Sequence, residues 1–578
     1  MDKKEIVKIL EEIGRLLEIK GENPFKARAY YNAARRIEVL QEDLTRLVEE
    51  GRLKELKGVG DALAQKIETL VKTGRLPYYE ELKASVPQGL LEMLKIPGMG
   101  PKKVKTVYEK LEITTIGELE YACHENRLRD LPGFGLKTQQ KILKGIELRK
   151  KYTERFHLPV ALEEAAKIKR YMEAHPAAQK IEIAGSLRRR KETIKDIDLL
   201  IACRQQDREA LVKHFVSYSE VDAITNQGHT KASVVLKSGL ACDLRLVEEG
   251  QFPFALQYFT GSAAHNTALR HRARVQKLTL NEYGLFPENA EQSIPCASES
   301  DVYRHLGLAF IPPELREDFG EIEAAEKGAL PQLIEKKDLK GLFHVHTTYS
   351  DGASSIEEMA RRAMELGFDY IGICDHSKAA YYANGLSEER IKMQHQEIER
   401  LNEMLDPFVI LKGIEVDILP DGTLDYSDDV LETFDFVIAS VHSSFNLEEE
   451  AMTERICRAL RHPLVNMLGH PTGRLLLGRE PYAVNMDKVL EVAARFNKVI
   501  EINANPYRLD LDWRQGIKAA KMGIKVAVNP DAHSLDGLND FEYGLAIARK
   551  SWFTASEVLN SYSVEKLKSF FKAQQNAM

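Results

Sequence analysis

The chain holds 578 residues, of which 44% are hydrophobic and 29% charged; that is too long for one core, predicts about three to five domains, and excludes a disordered or collagen-like chain. The formal charge of -7 is uneven: residues 1–300 carry 50 Lys+Arg against 43 Asp+Glu, and residues 301–578 carry 31 against 45. A mildly basic front half suits a polyanionic partner, and with no run of about 18 uncharged apolar residues a membrane span is not expected.

The N-terminus, Met1-Asp2-Lys3-Lys4-Glu5, leads into a charged amphipathic helix and lacks the apolar stretch of a signal peptide. Up to about residue 150 the sequence reads as helices broken by glycine turns, with Ile6, Ile9, Leu10, Ile13, Leu16 and Leu17 at helical spacing. One pattern occurs three times: Leu56-Lys57-Gly58-Val59-Gly60, Ile96-Pro97-Gly98-Met99-Gly100 and Leu131-Pro132-Gly133-Phe134-Gly135. A Gly-apolar-Gly turn lets backbone N–H groups at the next helix's N-terminus approach a phosphate. A tight helix–helix turn would explain one copy. Three copies, with Lys66, Lys102, Lys103, Lys137 and Lys141 nearby, point to a DNA backbone.

From about 155 to 312 strands mix with helices. The run Gly185-Ser186-Leu187-Arg188-Arg189-Arg190-Lys191-Glu192-Thr193-Ile194-Lys195-Asp196-Ile197-Asp198 is the most informative. Residues two apart on a strand share a face, so Asp196 and Asp198 converge, an arrangement that repels itself unless a divalent cation intervenes. Asp243, on a later strand, could complete a two-metal site with Mg²⁺ or Mn²⁺ and a triphosphate. Gly185 permits close backbone approach; Ser186, Arg188, Arg189 and Lys195 could hold phosphate oxygens. Residues 312–338, beginning Pro312-Pro313 and turning acidic, read as a linker.

After Lys340, short apolar runs alternate with amphipathic helices, the signature of βα units. Residues 301–578 hold nine histidines, and six of them, His344, His346, His376, His442, His470 and His533, end or closely follow apolar runs that should be buried parallel strands. Asp351, Glu415 and Asp531 join them. Strand ends of a βα barrel meet at one face, so these nine groups could hold a multinuclear cluster of two or three Zn²⁺ or Mn²⁺ ions able to hydrolyse phosphoesters. Arg474, in His470-Pro471-Thr472-Gly473-Arg474, is a candidate phosphate clamp. The six cysteines show no Cys-x-x-Cys pair, so a reducing cytoplasm is the expected location.

The front motifs resemble those of family X DNA polymerases, the group that includes DNA polymerase beta, over about residues 1–315. The glycine turns resemble helix-hairpin-helix motifs, with Gly58, Gly60, Gly98, Gly100, Gly133 and Gly135 facing DNA. Tyr258-Phe259-Thr260-Gly261, Asn266 and Arg270 also match the family's pattern. The resemblance implies that this Tyr-Phe-Thr-Gly turn packs under the incoming sugar, that Asn266 meets the base and that Arg270 meets the template. It aligns Lys66 with the family's lyase nucleophile, the lysine that forms a Schiff base with an abasic sugar. The histidine set resembles that of the PHP family, named for polymerase and histidinol phosphatase. Together these imply a multidomain α+β and α/β protein: a helical lyase-like domain (1–87), a helical duplex-binding subdomain (88–150), a nucleotidyltransferase palm with a mixed sheet (151–250), a nucleotide-selection subdomain (251–315), the linker (316–338) and a distorted (β/α)7-type PHP barrel (339–578). The implied activity is gap-filling DNA synthesis from deoxynucleoside triphosphates on gapped or primer-template DNA, by a monomer. A 3′→5′ exonuclease accompanies it, with abasic endonuclease or 3′-phosphatase activity as variants. The competing expectations are a small-molecule phosphoesterase fused to a nucleotidyltransferase and a DNA-binding scaffold with inactive sites.

Overall fold

Apolar residues at helical spacing fold the front of the chain into short helices. Ile6, Leu10, Ile13, Leu16 and Leu17 line one side of the helix Lys3–Ile19, which packs on Pro24–Glu38. The structure, a computed structural model, describes residues 3–38, 40, 42, 44–56, 59–129, 131–150 and 155–576, and falls into two units, Met1–Leu148 and Arg149–Met578. The first unit is helical among its described residues. Asp61–Thr73, Pro101–Leu111 and Leu136–Lys150 are the helices that follow the three glycine turns. No described helix is long and apolar enough to cross a membrane.

The second unit begins with a five-stranded mixed sheet: β1 (Lys180–Ile183), β2 (Asp196–Ala202), β3 (Val221–Gln227), β4 (Lys231–Leu236) and β5 (Ala241–Val247), in spatial order β1-β2-β5-β4-β3. Only β2 and β5 pair in parallel. Their alternation sets the chemistry: Ile197, Leu199, Cys242 and Leu244 are buried, which turns Asp196, Asp198, Asp243 and Arg245 to the opposite face.

Helices Phe252–Thr260, Ala263–Val275 and Glu299–His305 follow, with the hairpin strands Leu278–Asn281 and Gly284–Pro287. Residues 316–338, expected as a linker, are folded onto this core. They include the helix Glu321–Glu326, and Ile322, Ala325 and Leu333 pack with Phe254, Leu269 and Tyr303. Two of the acids that suggest a solvated connector, Glu317 and Glu321, are internal partners instead. Glu321 takes His265 Nδ1 at 2.6 Å, and Glu317 takes Arg189 Nε at 3.0 Å.

The rest of the unit is a seven-stranded parallel barrel: β6 (Gly341–Val345), β7 (Tyr370–Ile373), β8 (Val409–Asp417), β9 (Phe436–Ser440), β10 (Met467–Leu468), β11 (Val499–Asn503) and β12 (Val526–Asn529), paired in chain order. A parallel bridge from Val345, at the end of β6, to Ala532, three residues past β12, brings the first strand beside the end of the last. The strands are almost wholly buried, as expected of a parallel sheet covered by helices.

Candidate active sites and nucleic-acid interface

On the mixed sheet, Asp198 sits directly opposite Asp243, and Asp196 opposite Ala241. Burial first, then the charges of Asp196 and Asp243, push the Asp198 carboxyl up from 3.8 to about 6. Lys231 Nζ, on β4, lies 3.1 Å from Asp243 Oδ2 and partly balances the trio. Gly185 has φ +64°, and a Cβ there would lie 2.0 Å from Asp198 Oδ2, so only glycine admits this approach of the Gly185–Arg188 turn. Three acids on one face, one of them resisting ionisation, fit hard divalent cations such as Mg²⁺ or Mn²⁺.

Around them, Ser186 is half-buried and Lys195, just before β2, is exposed. Arg189, expected to hold phosphate, is spent within the protein: Nη1 donates to Thr260 O and Nε to Glu317. Arg188 is likewise held, with Nη1 on Thr260 Oγ1 at 2.6 Å and Nη2 on Glu299 at 2.6 Å. Tyr258, Phe259, Thr260 and Gly261 close the helix Phe252–Thr260, and the Phe259 ring lies 4.3 Å from the Arg245 guanidinium. The Asn266 amide donates to Tyr258 O at 2.7 Å and accepts from Gln257 at 2.8 Å, which fixes it behind the turn. Arg270 Nε donates to Asn266 O at 3.3 Å.

The nine barrel groups do converge. Glu415, buried at the end of β8, is the hub: Oε1 lies 3.2 Å from His344 Nε2, 3.2 Å from His442 Nε2 and 3.0 Å from His470 Nε2. Its Oε2 lies 2.9 Å from His376 Nδ1 and 3.7 Å from His346 Nε2. Asp531 Oδ1 is 3.2 Å from His346 Nε2, and Asp351 is 3.5 Å from His376 Nε2 and 3.4 Å from His533 Nε2. Three overlapping groups each bring ligand atoms within 4.8 Å of one another: His346, Asp351, His376 and His533; His344, His346 and Asp531; and His376, Glu415 and His442. Within this cluster His344 Nε2, both ring nitrogens of His346, Asp351 Oδ2, His376 Nδ1 and Glu415 Oε2 are buried without a hydrogen bond. Buried polar atoms left so are costly, and their convergence fits a donor set that would hold transition-metal ions. Burial, reinforced by His533 and His376, holds His346 down at about 3, the neutral form that binds metal. His344 and Asp531 have φ +57° and +51°, left-handed backbone that non-glycine residues hold only under constraint.

Several residues that serve the cluster escape a sequence reading. Glu501, on β11, takes His344 Nδ1 at 2.5 Å and His470 N at 2.6 Å. Asp417 takes His442 Nδ1 at 2.6 Å; Asn503, which its place at a strand end already turns toward the site, donates Nδ2 to Asp531 Oδ2 at 2.9 Å, a role the sequence does not show. Such partners fix ring orientation and tautomer. Asp375 accepts from Thr347, Ser350 and Gln394. A usable signal exists in hindsight: Glu501 is an acid inside an otherwise apolar strand, and Asp417 stands two residues beyond Glu415 on the same side. Arg474, the expected phosphate clamp, is instead a brace, with Nε on Arg508 O at 3.0 Å, Nη1 on Asp512 at 3.0 Å and Nη2 on Leu509 O.

In the helical unit, Gly60 and Gly100 cap their helices without any side-chain acceptor, and a Cβ at Gly60, Gly100 or Gly135 would meet open space. Gly98 and Gly133 hold φ +95° and +84°. The apolar residues Val59 and Met99 plug inward while Gly60 and Gly100 stay exposed, which leaves the helix N-termini open to an anion. Gly58 lies outside the described residues. Lys66 is half-buried, donates to Tyr30 Oη at 2.6 Å and lies 3.6 Å from the centre of the Tyr78 ring. Burial and then the Lys26 charge lower its pKa, and the Asp61 carboxylate is paired with Lys54.

Known families match the chain piecewise: a helix-hairpin-helix domain over residues 1–76, a SAM-like helix-hairpin-helix tandem over 90–149, the DNA polymerase beta thumb over 255–317 and the PHP domain over 343–505. The DNA polymerase/3'-5' exonuclease PolX of Bacillus subtilis (strain 168) is 40% identical over 575 residues, 99% of this chain and 100% of its own length. Two shorter relatives align with about 40% of the chain: a probable phosphatase of Thermoanaerobacter sp. (strain X514), 32% identical over 246 residues and 94% of its length, and one of Caldanaerobacter subterraneus, 31% identical over 249 residues and 91% of its length. With the thumb and PHP matches in one chain and a full-length relative at this identity, the protein belongs to the bacterial family X DNA polymerases, in which a DNA polymerase beta-like core is joined to a C-terminal PHP domain.

Proposed function

We propose that the protein fills short gaps in DNA by nucleotidyl transfer at the mixed sheet and removes 3′ nucleotides at the barrel. The observation that carries the reading is the meeting of Asp196, Asp198 and Asp243 on one face under Gly185, in a chain that also gathers six imidazoles and two carboxylates around Glu415. Mg²⁺ or Mn²⁺ at the first site and Zn²⁺ or Mn²⁺ at the second, when bound, supply Lewis acidity and neutralise charge on the reacting phosphates. Asp196, Asp198 and Asp243 would hold the first ions; the six histidines with Asp351, Glu415 and Asp531 would hold the second set.

The protein's own groups do the positioning. Gly185 lets the Gly185–Arg188 turn approach the triphosphate closely, and Ser186 and Lys195 offer a donor and a charge to its oxygens. By the family's pattern, the Thr260–Gly261 turn would support the sugar of the incoming nucleotide. The primer 3′-hydroxyl attacks the α-phosphate, and pyrophosphate departs. In the first unit the open helix N-termini at Gly60, Gly100 and Gly135 bind DNA phosphates without reading sequence. At the barrel, Glu501, Asp417 and Asn503 keep the ligand side chains aimed inward, and the buried site excludes bulk water. The shorter relatives, named as probable phosphatases and aligning with the barrel region, support a second reading for that site, removal of a 3′-phosphate.

A single-nucleotide-gapped duplex with Mn²⁺ and deoxynucleoside triphosphates tests the reading. Extension in the presence of nucleotides, 3′ shortening in their absence, and loss of both on exhaustive chelation are expected. Full turnover after chelation contradicts it.

A further inference from the structure

Glu317 lies where the mixed sheet, the helical segment after it and the barrel meet. Its Oε1 accepts from Lys550 Nζ at 2.7 Å and from Arg189 Nε at 3.0 Å, and its Oε2 lies 3.5 Å from Lys191 Nζ. Lys550 ends the barrel helix Phe541–Lys550, and only 1% of its surface is exposed. The same ammonium donates to Arg189 O at 3.2 Å and to Glu314 O at 3.1 Å, and it lies 4.7 Å from the centre of the Trp513 ring. An ammonium has three donors, and here all three are used within the protein. Removing it would leave buried acceptors unmatched.

The opposite end of Arg189 reaches the nucleotide side. Its Nη1 donates to Thr260 O. Gly261, next in sequence, has φ +69°, and a Cβ there would come within 3.0 Å of that nitrogen. Ser262 N donates to Arg316 O at 3.0 Å, so the turn is held from both flanks. A continuous set of contacts therefore runs from a barrel lysine through Glu317 and Arg189 to the Thr260–Gly261 turn.

We propose that Lys550, although it belongs to the barrel, is a positioning residue for nucleotide binding at the mixed sheet, acting through Glu317 and Arg189 on the Thr260–Gly261 turn. This rests on the polymerase reading given above. With Lys550 present, Glu317 is shared among three cations and the Arg189 main chain is pinned. Without it, Glu317 is free to draw the Arg189 guanidinium away from Thr260 O, and the turn loosens before chemistry begins.

The test uses the full-length protein with Lys550→Met, Lys550→Arg and Glu317→Gln. On gapped DNA with Mg²⁺, Lys550→Met is expected to raise KM for the deoxynucleotide about tenfold while kcat stays within about twofold. Lys550→Arg recovers part of the loss, and combining Lys550→Met with Glu317→Gln is no worse than the first change alone. Mn²⁺-dependent 3′ shortening stays within about twofold of the unaltered protein. An unchanged KM in folded Lys550→Met overturns the proposal. So does a parallel fall of kcat, nucleotide affinity and 3′ shortening, which marks a purely structural role. If Lys550→Met fails to fold, Lys550→Arg carries the comparison, with a smaller rise in KM expected and an unchanged KM overturning the proposal. Should the unaltered protein extend no gap, the polymerase reading fails and takes the proposal with it; extension by that protein with normal KM in the variants sinks the proposal alone.

Discussion

Asp198 is ionised at a cost in the metal-free fold. Its carboxyl is raised from 3.8 to about 6, by burial first and by Asp196 and Asp243 second. A folded-state value above the unfolded one favours the fold fully below pH 3.8 and loses that advantage as pH rises through about 6. The displacement corresponds to about 3 kcal/mol at most. Asp198→Asn is therefore expected to raise the melting temperature of metal-free protein at pH 7.5, with the gain shrinking toward pH 4, as followed by thermal denaturation across that range. Equal melting temperatures at pH 7.5 would contradict this. Lys66 makes a second prediction at the same scale. Its amine is depressed by burial and by Lys26, and it is held by Tyr30, which favours the neutral nucleophile. Borohydride treatment with abasic DNA should trap a covalent adduct that disappears in Lys66→Ala; an adduct that survives the substitution excludes Lys66.

At the level of elements, the turn Gly185–Arg188 and the strand pair β2/β5 form one device. Gly185→Ala would put a Cβ 2.0 Å from Asp198 Oδ2, so either the turn or the carboxylate must move. A displacement of that kind is expected to reduce gap filling at least about 100-fold, measured by primer extension, while 3′ shortening at the barrel continues. Period-2 alternation made this device legible from sequence: Asp196, Asp198 and Asp243 share a face because Ile197, Leu199, Cys242 and Leu244 must be buried. The histidines were legible for a related reason, since each follows an apolar run that a parallel barrel buries. Partnerships across long separations were not. Glu317 and Glu321 read as linker acids because a local sequence window does not contain Arg189, His265 or Lys550, the groups that make their burial affordable. Arg189 and Arg474 read as phosphate ligands for the same reason. A guanidinium placed near glycines serves a phosphate or a main-chain carbonyl equally well, and here carbonyls and carboxylates occupy both.

Over the whole molecule, the two candidate metal sites differ in the type of side chain they offer. The mixed sheet offers carboxylates alone, suited to hard ions that leave coordination sites for phosphate oxygens. The barrel offers six imidazoles gathered around Glu415, suited to transition ions. The second unit nonetheless ties these regions together through Lys550, Glu317 and the folded 316–338 segment, so the barrel supports the sheet's geometry without sharing its reactive groups. Whether the two reactions are separable is read from extension and 3′ shortening of the same gapped DNA, assayed side by side for Asp198→Ala and His344→Ala. Asp198→Ala is expected to abolish extension and spare shortening, and His344→Ala to do the reverse. Loss of both reactions from either single change, in protein that remains folded, would contradict the two-site reading.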